Sequence, residues 1–150
     1  MSSQHPQRVR AALLVGPALM LALSGCVSPA ERAFDGAVFA ARIGQDATGP
    51  LPWIFDNPVY WQMEYVGGDY SAVVRPPCAP INAPVTLTED TIVPDMDRAQ
   101  IAAIACDDDR AAMDEWVLDF MAEPLQYSLD GETLILERGE SSLTFERIDR

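Results

Sequence analysis

The chain has 150 residues, one modest domain by length, and sets 23 acidic residues against 10 basic ones for a formal charge of −13. A surface this negative repels nucleic acid and anionic headgroups, which argues against DNA or RNA as a partner. There is no lysine and the single histidine is His5, so a product cut beyond it has no imidazole or amine side chain for acid–base, nucleophilic or Schiff-base chemistry.

Residues 1–10 carry Arg8 and Arg10 and no acid, and residues 11–22 are almost wholly apolar. That is the charged and apolar part of an export signal. About twelve apolar residues fall short of the ~20 that span a bilayer as a helix. Leu23-Ser24-Gly25-Cys26 follows, and it resembles the lipobox of bacterial lipoproteins, in which the cysteine is acylated and becomes the new N-terminus. The expected organisation is a lipoprotein signal peptide over 1–25, a lipid-anchored tether over 26–35 in which Phe34 is placed to pack, and one domain over 36–150. Such a cut leaves 8 arginines against the same 23 acids, a charge of −15. The expected location is the cell envelope, held to a membrane by lipid on Cys26 and facing the periplasm or the exterior.

With Cys26 acylated, Cys78 and Cys106 remain, and an oxidising compartment favours joining them in a disulfide. A redox pair or a metal site is the alternative. The spacing is far from Cys-x-x-Cys, and no histidine is left to complete a zinc shell.

In chain order, residues 37–43 read as a strand and residues 44–58 as a long Gly/Pro/Asp-rich loop carrying Trp53, Ile54 and Phe55. Residues 60–66 and 70–74 form a hairpin around Gly67-Gly68-Asp69, and Pro76-Pro77 stops the ladder. Residues 85–88 and 91–93 make a second hairpin around Glu89-Asp90. Asp107-Asp108-Asp109 offers an N-cap and negative charge at the positive end of a helix. Met113, Trp116, Val117, Phe120 and Met121 follow as one apolar stripe, and Pro124 ends it. Leu125, Tyr127 and Leu129 alternate into an Asp130-Gly131 turn and a strand over 133–137; Leu143, Phe145 and Arg147 mark a closing strand. The expected fold class is α+β, a small and mostly antiparallel β-sheet with one packed amphipathic helix.

Over roughly Gly36 to Arg147, and best after Cys78, this pattern resembles the META domain of HslJ-like envelope lipoproteins. The residues that carry the resemblance are Cys78, the run from Val85 to Val93, Ile104-Ala105-Cys106, the helical stripe from Trp116 to Met121, Leu125 to Leu129, Asp130-Gly131, Leu134 to Leu136, and Leu143-Thr144-Phe145-Glu146-Arg147. The chain departs from the family at Pro77-Cys78-Ala79, where Gly-Cys-Asn is usual, and at Phe39, where a tryptophan is common. The resemblance implies a fold, an envelope compartment and links to stress, secretion or drug tolerance; it brings no catalytic residue with it.

Three groups of residues remain as candidate sites. Asp107, Asp108 and Asp109 could hold calcium, but they lack the spacing of an EF-hand loop, and helix capping accounts for them. Asp95 and Asp97, close in sequence to Glu89 and Asp90, read as solvated turn residues. Trp53, Phe55, Tyr60, Trp61, Tyr65 and Tyr70 crowd into eighteen residues. Half of them are expected in the core, whereas Trp53, Phe55 and Trp61 are candidates to line a groove for a small apolar ligand. No motif selects a pair of carboxylates for hydrolysis. The expectation is a non-catalytic envelope lipoprotein with no cofactor and no metal, working through a protein partner. The alternatives are ligand binding by the aromatic loop and, more weakly, a calcium-dependent module.

Overall fold

The computed structural model describes Phe34 and residues 36–148; the signal segment, Cys26 and the tether up to residue 33 lie outside them. The strands are β1 (Val38–Asp46), β2 (Gly49–Pro50), β3 (Tyr60–Val66), β4 (Asp69–Arg75), β5 (Ile81–Leu87), β6 (Thr91–Pro94), β7 (Gln100–Ile101), β8 (Leu125–Asp130), β9 (Thr133–Arg138) and β10 (Ser141–Ile148). A short helix α1 (Trp53–Asp56) and a longer helix α2 (Asp108–Phe120) interrupt them.

The fold is α+β and mostly antiparallel, but the sheet does not stay open. Each strand pairs with its neighbours in the order β10-β9-β8-β6-β5-β4-β3-β1, and β10 pairs again with β1. Eight antiparallel strands therefore close into a barrel, with β2 appended to β1 and β7 to β5. Closure joins residues more than a hundred apart, as in Val38 with Ile148. Inward residues alternate along each strand. Phe39, Trp61, Val74, Ile81, Ile92, Leu134, Leu136 and Phe145 are all buried and fill the lumen. Eight strands leave an interior just wide enough for such side chains.

The β3–β4 hairpin forms where the strand-forming residues around Gly67-Gly68 predict it. Val66 pairs with Asp69 across Gly67-Gly68, and both glycines have positive φ, as a tight two-residue turn requires. β1 departs from expectation because a bulge between Ala41 and Ile43 shifts its register against β10. The shift turns Arg42 and Ile43 both outward and brings Gly44 inward. A Cβ at Gly44 would meet Ile54 Cγ1 at 2.9 Å and Leu143 Cδ2 at 3.0 Å, so only glycine lets α1 rest there. The expected loop over 44–58 is thus largely structured. Asp46 accepts from the Thr48 amide at 2.8 Å and hydroxyl at 2.7 Å, Leu51 N donates to Gly44 O at 2.8 Å, and α1 follows.

The two ends of the barrel are closed differently. At one end lie the tips of the β3–β4, β5–β6 and β8–β9 hairpins and the start of β1, sealed by Phe34. Its ring lies 6.2 Å from Phe39 and 5.5 Å from Tyr127, edge-on to both. Phe34 therefore belongs to the packed domain, which begins within the segment read as tether. At the other end α2 lies across the strand ends, next to the end of β1 and the segment that follows β4.

Candidate functional site

The capping helix starts as predicted. Asp107 accepts from the Arg110 amide at 3.0 Å and pairs with the Arg110 guanidinium at 2.6 Å. These two contacts, the amide first, hold the Asp107 carboxyl below its ordinary pKa. Val117, Phe120 and Met121 are buried, and Trp116 and Met113 are half-buried.

Three side chains pin α2 to the barrel rim. Asp114, a buried charge, accepts from Cys78 N at 3.1 Å and from Ala79 N at 2.6 Å, beyond the end of β4. Trp116 donates Nε1 to Asp46 at 3.1 Å, at the end of β1. Arg138, at the end of β9, donates to the carbonyl and carboxylate of Asp119. Asp46 is held below its usual pKa, first by the Thr48 hydroxyl and amide and further by the Trp116 indole. The reading of the helix as an amphipathic stripe missed Asp114. A carboxylate in mid-helix looks solvated, and its partners are backbone groups 35 and 36 residues away.

Cys78 and Cys106 are joined in a disulfide with Cα atoms 6.0 Å apart. One donor atom from each of Cys78, Cys106 and Asp114 falls within 4.8 Å of the others. The sulfurs are spent in the disulfide and both Asp114 oxygens are spent on backbone amides, so the group is a clasp and not a metal centre. It fixes both ends of the path from β4 to α2.

The three aromatic candidates do not converge. Trp53 is half-buried, its ring 5.9 Å from Trp116 and edge-on, and Trp116 in turn stacks on Phe120 at 5.2 Å. Phe55 stands out from α1 at 86% exposure. Trp61 is 1% exposed inside the barrel, 6.4 Å from Phe145. Trp61 therefore faces the core and does not share a surface with the exposed Phe55. The alternation Trp61-Gln62-Met63-Glu64 turns Trp61 to the lumen, where its Nε1 has no hydrogen-bond partner among the described residues. Tyr65 and Tyr70 pair at 4.8 Å near the opposite end. Asp95 is bound to Arg98 at 2.6 Å, which depresses its pKa.

What the sequence reading passed over is the segment between β7 and the disulfide. β7 follows β6 along the same side of β5, after a 3-10 turn at Met96–Arg98, and among the described residues pairs with no other strand. Gln100, Ile101, Ala102, Ala103, Ile104 and Ala105 are all exposed, Ile101 at 49% and Ile104 at 53%. An open groove of about 310 Å³ runs beside it, lined by Val73, Pro80, Ile81, Asn82, Gln100 and Ile101 among others. The run Ile-Ala-Ala-Ile-Ala was the available signal, although it fits neither a strand nor a helix period.

The architecture is that of a closed antiparallel barrel with a helical cap. Two solved structures share it. An NMR structure of a protein from Burkholderia xenovorans aligns with a TM-score of 0.62 and 15% identity over 99% of both chains. A second NMR structure aligns at 0.53 and 14%, covering 80% of this chain and 94% of that one. At these identities the likeness concerns the fold. No family model and no curated protein matches the chain.

Proposed function

We propose that this chain is a non-catalytic, lipid-anchored cell-envelope protein of META/HslJ-like type that works by contact with another envelope protein. The observation that carries the reading is the sealed barrel: a lumen filled with side chains offers its surface, not its interior, to a partner. The disulfide Cys78–Cys106 fits an oxidising compartment. Leu23-Ser24-Gly25-Cys26 supplies the anchor in this reading. The absence of lysine from the chain and of histidine after His5 supports a role other than catalysis.

The test is the intact mass of the full-length gene product extracted from bacterial membranes in mild detergent. The expected mass is that of residues 26–150 plus acyl groups, less two hydrogens for the disulfide, and Cys26→Ser releases the protein from the membrane fraction. A product of unmodified mass, or one that stays membrane-bound as Cys26→Ser, overturns the anchor.

A further inference from the structure

We propose that the free edge of β7, with the exposed segment running on to Cys106, docks an extended strand of a partner protein that has an apolar centre and basic flanks. This deepens the protein-interaction reading above and rests on it.

The backbone comes first. Gln100 pairs with Asn82 and Ile101 with Ile81, and Ala102 N donates to Pro80 O at 3.0 Å. In an antiparallel ladder hydrogen-bonded and non-hydrogen-bonded pairs alternate. Ile101 therefore sits at a non-hydrogen-bonded position, with its N–H and C=O directed away from β5. β8 meets β6 at Thr91 and Ile92 and does not extend to β7. The barrel seam thus leaves the outer edge of β7 open among the described residues. Unpaired edges of this kind recruit an added strand.

The side chains define what strand fits. Ile101 and Ile104 are half-exposed or more, and only alanines separate them. Acids flank the apolar run on both sides: Asp95 and Asp97 before it, Asp107, Asp108 and Asp109 after it. Arg98 neutralises Asp95 and Arg110 neutralises Asp107. Asp97, Asp108 and Asp109 are exposed and make no ion pair among the described residues. An apolar strip between uncompensated carboxylates matches a segment with an apolar middle and Lys or Arg at its ends. A second copy of this chain is a poor occupant, since it has no lysine and a charge of −13.

The disulfide makes the surface persistent. Cys106 ends the strip and Cys78 lies two residues before Pro80, so the bond holds the strip beside the start of β5. A strip already held in place loses less conformational entropy when a strand is added.

The experiment uses the full-length chain in mild detergent and a fluorescent peptide of alternating Val and Thr with two lysines at each end. Fluorescence anisotropy reports binding, and hydrogen exchange with mass spectrometry reports where. Expected are saturable binding, slowed exchange confined to residues 99–106, and at least about tenfold weaker binding by the same peptide with glutamates as flanks. Ile101→Pro removes the outward N–H but no β5 hydrogen bond, and abolishes binding while melting cooperatively. Should Ile101→Pro fail to fold, Ile104→Asp supplies the same loss without touching the ladder. No binding, protection elsewhere, equal binding of the acidic-flanked peptide, or full binding by the edge variants overturns the assignment. These outcomes are separate from the mass of Cys26, so loss of the anchor and loss of the docking edge are distinguishable.

Discussion

The two ends of the barrel solve the same problem by different means. The hairpin-tip end is closed by tight turns and apolar devices: two-residue turns at Gly67-Gly68 and at Gly131-Glu132, and one phenylalanine, Phe34, inserted beside Phe39 and Tyr127. The helix end is closed by long-range ones: the Cys78–Cys106 bond, Asp114 on the amides of 78 and 79, Trp116 on Asp46, and Arg138 on Asp119. The first end is tightened by apolar packing, whereas the second is held by polar pins and a covalent clasp around a strip of exposed chain. A surface for a partner needs such an arrangement, rigid underneath and unpaired on top.

The largest expected effect breaks the first end. Phe34→Ala removes a fully buried ring and is expected to destabilise by about 3–5 kcal/mol, read as a lower urea midpoint. Exchange should rise at the hairpin tips before it rises in α2. If the midpoint is unchanged, Phe34 does not seal the barrel. Next comes the clasp. Cys78→Ala with Cys106→Ala opens a bridge spanning 28 residues and should cost roughly 3–4 kcal/mol. Here exchange should rise first in residues 100–114, reversing the order seen for Phe34→Ala. Asp114→Ala leaves two amides at the clasp without their acceptor, an expected loss of about 2–3 kcal/mol. Asp114→Asn, which can still accept one of the two bonds, should fall between it and the parent.

Legibility in the sequence followed the same division. The β3–β4 hairpin could be read to the residue at β3 because strand-forming side chains run up to the Gly67-Gly68 turn, and the helix cap at Asp107 because aspartate there meets the amide three residues on. Closure into a barrel could not be read, since it depends on β1 meeting β10 across the length of the domain. Nor could the phase of β1 after Ala41, because a bulge is a property of the pair of strands. Trp61 was legible as core from its own strand, but its nearness in sequence to Trp53 and Phe55 grouped it with residues it does not touch. Asp114 and the β7 edge were hidden for opposite reasons. One is a charge whose burial is set by a distant loop, and the other an apolar run that the fold leaves outside.

The smaller effects sharpen the contrast between surface and support. Phe55→Ser alters a ring with almost no packing and is expected to change stability by less than about 0.5 kcal/mol. Trp53→Ala, whose ring supports Trp116, should destabilise measurably more. If instead Phe55→Ser lowered the melting temperature as much as Trp53→Ala, the division of α1 into an inner and an outer aromatic would be wrong.

Acid should act on the helix end through its lowered carboxyls. Asp46 and Asp107 both sit there, their carboxylates held by Thr48 and Trp116 and by Arg110. A carboxyl whose pKa is depressed in the folded state contributes stability above its ordinary value of 3.8, and the contribution is lost as the pH falls through the lowered one. Between pH 7 and pH 5 these two groups therefore add no slope, while below about pH 4 the melting temperature should fall. Asp107→Asn keeps an acceptor for the Arg110 amide and gives up only the charge. It is expected to melt close to the parent at neutral pH, because an exposed ion pair contributes little, and to show a shallower acid limb. An acid limb as steep in Asp107→Asn as in the parent would shift the acid sensitivity away from the helix cap, to Asp46 or to Asp95 on its Arg98.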